Sequence, residues 1–115
     1  MTDKGCITIS NRMGYYNVPC VRFDNLTGIT FYKTIGAKAS NYKYYTIELD
    51  TNNNIIYFNF TNDLCIGCFK LTKVGFSIKG ATVAWKKFGI KEGAYKAEWV
   101  TETRLAVNLN EKISD

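Results

Sequence analysis

The sequence predicts a mainly β domain with short helices, a β+α class, and three observations carry that expectation. Aromatic residues make up 15% of the chain, with eight Tyr and seven Phe, and rings suit a pleated surface. Residues 42–60 (YKYYTIELDTNNNIIYFNF) and 95–109 (YKAEWVTETRLAVNL) each alternate apolar and polar residues on both sides of a polar turn, which is the pattern of a hairpin. The order of features in one half of the chain also recurs in the other.

The closing hairpins are the clearest elements. In the first, Tyr45, Ile47 and Leu49 stand against Ile55 and Tyr57 around a turn at Asp50–Asn54. In the second, Tyr95, Ala97 and Trp99 face Leu105, Val107 and Leu109 around Thr101–Thr103. Upstream of the second hairpin, 69–74 alternate as a strand, Gly75 permits a turn, and 76–79 continue extended. Ala81, Ala84, Trp85 and Phe88 then follow at i, i+3, i+4 and i+7. That spacing makes one face of a short helix and leaves Lys86 and Lys87 elsewhere. Gly89 stands where a left-handed C-cap belongs. The front of the first half predicts a matching helix, with Pro19 in its first turn and Phe23 and Leu26 on a thinner apolar face.

The repeat is visible in letters. Residues 5–29 read GCITISNRMGYYNVPCVRFDNLTGI and 67–90 read GCFKLTKVGFSIKGATVAWKKFGI. With one gap, Gly5-Cys6 falls on Gly67-Cys68, Gly14-Tyr15 on Gly75-Phe76, and Gly28-Ile29 on Gly89-Ile90. An extra segment, 30–41, is present only in the first copy. One such unit is too small to bury its own apolar face. The expectation is therefore a single domain, 1–115, with internal repeats 5–60 and 67–110 packed as one pseudo-twofold body.

The chain begins MTDKGCITIS, without the apolar run of a secretory signal, and has no stretch of some 18 apolar residues to cross a membrane as a helix. A cytoplasmic protein with reduced thiols is expected, so the sequons at Asn25 and Asn59 carry no meaning.

Charge is unevenly distributed. Residues 4–47 hold Lys4, Arg12, Arg22, Lys33, Lys38 and Lys43 against the single acid Asp24. Residues 64–91 hold Lys70, Lys73, Lys79, Lys86, Lys87 and Lys91 and no acid. Twelve of the fifteen basic residues thus lie in the two fronts, while most acids fall in the closing hairpins, linker and tail. Such a dipolar surface suits a polyanion at its basic end, although each lysine alone could serve only solubility.

Catalytic chemistry is hard to place on these residues. With no histidine there is no Ser/His or Cys/His pair, and the glycines follow no phosphate-loop spacing. Glu48 with Asp50, and Glu98 with Glu102, read as carboxylates flanking turns. No enzyme activity, cofactor or small-molecule substrate is expected. Cys65-Ile-Gly-Cys68 has zinc-ligand spacing, and Cys6 and Cys20 could complete a thiolate site, but one knuckle is a weak signal. A redox pair ranks lower still. Cys6 and Cys68 read instead as small core residues, with neither metal nor disulfide expected. Tyr15, Tyr16, Phe31, Tyr32, Tyr42, Tyr44 and Tyr45 interleave with Arg12, Lys33 and Lys43. That mixture can stack single-stranded bases, but most of these rings are expected in the core or in cross-strand pairs.

Residues 85–109, WKKFGIKEGAYKAEWVTETRLAVNL, resemble the swapped-hairpin module of the AbrB/MazE-like DNA-binding proteins. Lys86-Lys87 stand at the family's basic pair, Phe88-Gly89-Ile90 at its Leu-Gly-Ile, and Lys91-Glu92-Gly93 at its turn. The resemblance covers 69–109, and reaches 6–60 only through the internal repeat. Ala94 departs from the family's Asp, Gly80 from its Ile-Pro step, and Phe76 from an arginine often found after the loop glycine. Asn25-Leu26 replaces the basic pair in the first copy. The resemblance implies two intertwined modules contacting duplex DNA, here within one chain or after pairing with a second copy. It implies a small transcriptional regulator that binds through Arg12, Arg22, Lys70, Lys73, Lys79, Lys86 and Lys87. The alternatives are a compact protein-binding inhibitor of phage or plasmid type and a single-stranded nucleic-acid-binding β-barrel.

Overall fold

The computed structural model describes residues 18–25, 28–74, 77–80 and 85–114. Eight strands run in chain order: β1 Cys20–Asp24, β2 Gly28–Phe31, β3 Tyr44–Asp50, β4 Ile55–Thr61, β5 Phe69–Val74, β6 Ser77–Gly80, β7 Gly93–Trp99 and β8 Arg104–Ser114. Among the described residues an α-helix, α1 (Lys33–Ala39), lies between β2 and β3, and a 3-10 turn (Trp85–Phe88) lies between β6 and β7. The protein is therefore mainly β, as its aromatic and alternating composition predicts.

The strands form four hairpins in sequence, but the hairpins do not close in sequence order. The ring runs β1-β2-β6-β5-β3-β4-β8-β7 and returns to β1, every pair antiparallel. The hairpin β1–β2 borders β7, and β5–β6 borders β3, so each early hairpin pairs with the later hairpin of the other part of the chain. The ring closes through only two residue pairs at β3–β5, so residues 46–50 of β3 are paired on the β4 side alone.

The small barrel is filled with side chains, as eight strands require. Val21, Phe23, Ile29, Phe31, Tyr45, Ile56, Phe58, Phe60, Leu105 and Val107 form its buried interior. Phe58 lies at the centre, with ring centroids 6.5 Å from Phe23, 5.3 Å from Phe31 and 5.6 Å from Tyr45. Ile35 and Ala39 place one side of α1 in the same core, and α1 packs on β1, β2, β6 and β7. Trp85 is buried against Phe23 at 5.7 Å, and Gly89 takes φ +77°, the left-handed conformation expected of it.

Three expectations need correction. Residues 20–24 are a strand, not a helix: Cys20, Val21 and Phe23 are buried, and their alternation with Arg22 and Asp24 is a period of two. Leu26, the other apolar residue of the expected helix, lies outside the described residues. In the first closing hairpin the interior face of β4 is Ile56, Phe58 and Phe60, while Ile55 and Tyr57 face the other way. The turn of four residues, 51–54, pairs Asp50 with Ile55, so odd positions on β3 meet even ones on β4, and a one-residue step exchanges the faces. The segment 30–41, expected to be an insertion without assigned structure, contains α1. Its apolar residues Ile35 and Ala39 show the i, i+4 spacing of a helix, but Gly36 between them lowers the local propensity. The second hairpin keeps its expected faces, with Trp99 opposite Leu105 and Ala97 opposite Val107. The strand and turn expected at 69–79 become β5 and β6. Ala81, Ala84, Gly75, Phe76 and the segment 5–17 fall outside the described residues.

Because Phe58 touches several rings of the interior, Phe58→Ala should cost about 3–5 kcal/mol of stability. Urea unfolding followed by intrinsic fluorescence measures it, and a loss below about 1 kcal/mol would mean that the core does not close around this ring.

Candidate nucleic-acid interface

Of the seven basic positions expected to contact DNA, four have described side chains: Arg22, Lys70, Lys73 and Lys87. Arg12 lies outside the described residues. Arg22 is on the outer face of β1, half-buried, with Nε 3.5 Å from Asp24 Oδ2. Lys70 and Lys73 are exposed on β5, and Lys87 is exposed on the 3-10 turn. The backbone of Lys79 is paired with Thr30 of β2 and Thr72 of β5, and that of Lys86 belongs to the 3-10 turn; their side chains are not among those described.

Register separates these lysines. β2 and β6 are antiparallel, with Ile29 opposite Gly80 and Phe31 opposite Ile78, so the turns of the β1–β2 and β5–β6 hairpins lie at opposite ends of the barrel. Lys73 precedes Val74 at the β5–β6 turn. Lys87 follows Trp85, which packs on Phe23 near the β1–β2 turn. Lys73 and Lys87 therefore lie toward opposite ends, whereas Lys70, beyond the Leu71↔Gly80 pair, lies toward the end of Lys87.

The pairing instead assembles a different group. Leu71 N–H donates to the Lys43 carbonyl at 2.9 Å, and Lys43 N–H donates to the Thr61 carbonyl at 3.3 Å. Lys70 is paired with Tyr44. These bonds bring the backbone of exposed Lys43, from before β3, alongside β5, where alternation puts exposed Lys73 on the same face as Lys43 and exposed Lys70 on the other. Lys43 and Lys70 are 27 positions apart in sequence (70 − 43), so only the cross-pairing shows their adjacency.

The acids do not keep to their own end. Glu102, in the β7–β8 turn, lies 3.4 Å from Lys38 Nζ of α1, and Lys38 also sits 4.6 Å above the Trp99 ring. Glu111 reaches Lys96 at 4.0 Å. Asn25 N–H donates to Glu92 Oε2 at 2.9 Å. Strand pairing thus mixes charges that are segregated along the chain.

The carboxylates weighed as an acid/base pair have other partners. Glu48 Oε1 accepts from Arg104 Nη1 at 2.7 Å and from Asn59 Nδ2 at 2.7 Å. Arg104 also donates to Asn59 Oδ1 at 3.0 Å and lies 3.9 Å over the Tyr57 ring. These bonds, led by the one from Arg104, hold the Glu48 carboxyl below its ordinary value. Asp50 accepts from the side chain and backbone N–H of Asn53 and from the backbone N–H of Asn52, which lowers its pKa and closes the β3–β4 turn.

The cysteines divide. Cys20 is buried on β1, and burial pushes its thiol up to about 11. Cys65 and Cys68 are joined by a disulfide in the β4–β5 connector, which corrects the expectation of buried, reduced thiols there. The connector is on the surface, and Cys68 precedes β5 instead of lying within a buried strand. Cys6 is outside the described residues. Among the described residues no group of three or more Cys, Asp or Glu is placed to hold a metal ion, and no helix is long and apolar enough to cross a membrane.

Comparison with protein-family models, with curated proteins and with solved structures returns no match.

A carboxylate held below its ordinary pKa by native partners stabilises the fold above the unfolded value, and that contribution fades as pH falls through the folded one. Glu48→Gln should therefore lower the urea midpoint at pH 7, and the deficit should shrink as acid protonates the Glu48 carboxylate in the folded parent. An equal deficit at pH 7 and in acid would assign the effect to lost packing.

Proposed function

We propose that the chain is a DNA-binding protein, a small transcriptional regulator built from two swapped-hairpin units in tandem. The strand registers support the duplication. The pair Val21↔Phe31 of β1–β2 has its counterpart in Leu71↔Gly80 of β5–β6, and Ile47↔Phe58 of β3–β4 in Ala97↔Val107 of β7–β8. The first member shifts by 50 residues each time (21 to 71, 47 to 97) and the second by 49 (31 to 80, 58 to 107). On this reading the units are 20–61 and 69–110, in place of the expected 5–60 and 67–110. The exchange of early hairpins between them is the arrangement that the AbrB/MazE-like resemblance implies.

The observation that carries the functional reading is the pair of exposed lysines Lys43 and Lys73, one from each unit on one face of the β3–β5 junction, with exposed Lys70 on its other face. Lysines on adjacent strands with their amines in solvent can each meet a phosphate, and every such pairing releases counterions from the duplex. Lys87, with Lys86 and Lys91 near it in sequence, offers a second basic position toward the end opposite Lys73. Arg22, beside Asp24, is the weaker contributor. A protein-binding inhibitor is the alternative, favoured by Leu64 and Ile66, which are 77% and 104% exposed on the β4–β5 connector.

Gel-shift titration against pooled random duplex DNA at two salt concentrations tests the reading. The parent should bind at low salt and weaken steeply as salt rises. Lys70→Ala/Lys73→Ala should flatten the log–log salt slope by about one for each phosphate that is no longer neutralised. Its stability should stay within about 0.5 kcal/mol of the parent, as for other surface changes. A folded double variant with the parent's affinity would remove β5 from the interface. A parent that ignores duplex DNA at low salt would leave the inhibitor as the better reading.

A further inference from the structure

We propose that Cys65–Cys68 is a thiol–disulfide exchange site whose redox state controls the junction between β3 and β5. Such a site would operate whether or not the chain binds DNA.

The placement of the bond favours chemistry over stapling. It closes a loop with a sequence separation of only three, and a disulfide constrains the unfolded chain least when its loop is short. It lies in a surface connector where Cys65 is exposed and Cys68 half-buried. The neighbours Leu64 and Ile66 extend into solvent and leave Cys65 open to an incoming thiolate. The turn does not rely on the bond for its shape. Cys68 N–H donates to the Cys65 carbonyl at 3.2 Å, and Gly67 supplies the left-handed φ of +84°. With the Cα atoms 5.4 Å apart, the reduced pair remains within closing distance, so the bond can reform.

Exposure fixes the direction of attack. A thiolate from an external thiol or dithiol bonds to Cys65 Sγ as the Sγ–Sγ bond breaks. The electron pair departs on Cys68 Sγ, which takes a proton from water; its sulfur lies 4.0 Å from the Asp63 carbonyl, an acceptor for the new thiol. A second external thiol then displaces Cys65, releasing the external disulfide. Two thiols are oxidised, and the protein gains two electrons and two protons.

The junction lies directly beyond this bond. β3 and β5 are joined through Tyr44↔Lys70 and Tyr45↔Phe69, and Phe69 follows Cys68 in sequence. At the other end of the connector, Thr61 accepts from Lys43 N–H. The disulfide therefore shortens the free length of chain between two strands that flank β3. Reduction lengthens it beside the shortest ladder of the barrel, and opening of the junction becomes easier.

Differential alkylation before and after treatment with dithiothreitol, read by peptide mass mapping so that Cys6 and Cys20 are scored separately, gives the state of the pair. Hydrogen exchange then compares the two states. We expect Cys65 and Cys68 to be bonded after exposure to glutathione disulfide, to reduce without global unfolding, and to re-form on removal of reductant. We also expect the amides of Tyr45 and Leu71 to exchange several-fold faster in the reduced protein, while those of β4 and β8 are unchanged. Cys65→Ser/Cys68→Ser should exchange like the reduced parent with or without reductant. Failure of the pair to form under glutathione disulfide, or reduction only on unfolding, would overturn the exchange site. Identical junction exchange in both states would overturn the control.

Discussion

Closure of the ring at β3–β5 is the constraint on which the rest of the structure depends. Eight short strands leave two edges unless the ends of the sheet meet, and exposed edges invite pairing with other chains. Here the closing ladder is two residues long, so hydrogen bonds alone hold it weakly. Packing supplies the rest: Tyr45, a fully buried residue of that ladder, lies 5.5 Å from Phe69, 6.3 Å from Phe31 and 5.6 Å from Phe58. Tilted and edge-on ring pairs at such separations add to the area they bury. One aromatic side chain therefore couples the junction to the centre of the barrel.

The outside of the barrel follows a different rule. Glu48, Asn59 and Arg104 come from β3, β4 and β8, and their bonds tie three adjacent strands across one face. Arg104 also covers the Tyr57 ring, so its planar group serves both bonding and stacking. The same cross-strand logic carries Glu102 to Lys38 and Lys43 to the side of β5. A charge map drawn along the chain and one drawn over the surface thus disagree, because the order of strands in the ring is not their order in sequence.

That difference explains what could be read from the sequence. Both closing hairpins, the β5–β6 hairpin, Gly89 and the apolar faces of β7 and β8 are visible as local patterns, since alternation and turn residues act over a few positions. The β1 strand was hidden by Pro19 and by the apparent match of 5–29 to 67–90. Residues 20–24 are too few to display a period strongly against a neighbouring repeat. The interior face of β4 was obscured because Ile55, Ile56, Tyr57 and Phe58 are all apolar, and only the turn at 51–54 decides which pair enters the core. The candidate basic site was half legible: Lys70, Lys73 and Lys87 are exposed as expected. Their neighbours are set by contacts between distant segments, and no local pattern encodes those. Nor did spacing alone distinguish a surface disulfide at Cys65–Cys68 from a buried thiol.

The ring order also bears on how the chain reaches this state. Val21 ends beside Tyr95, 74 residues further on (95 − 21), so β1, paired early with β2, is among the last strands to find its second neighbour. During synthesis the hairpins β1–β2 and β3–β4 emerge with both flanks awaiting strands not yet translated, β7 and β6 for the one, β5 and β8 for the other. Contacts of such long sequence separation slow folding and leave edges open in the interval. The passage from ribosome to closed ring is thus when this chain is most exposed to association with its own copies.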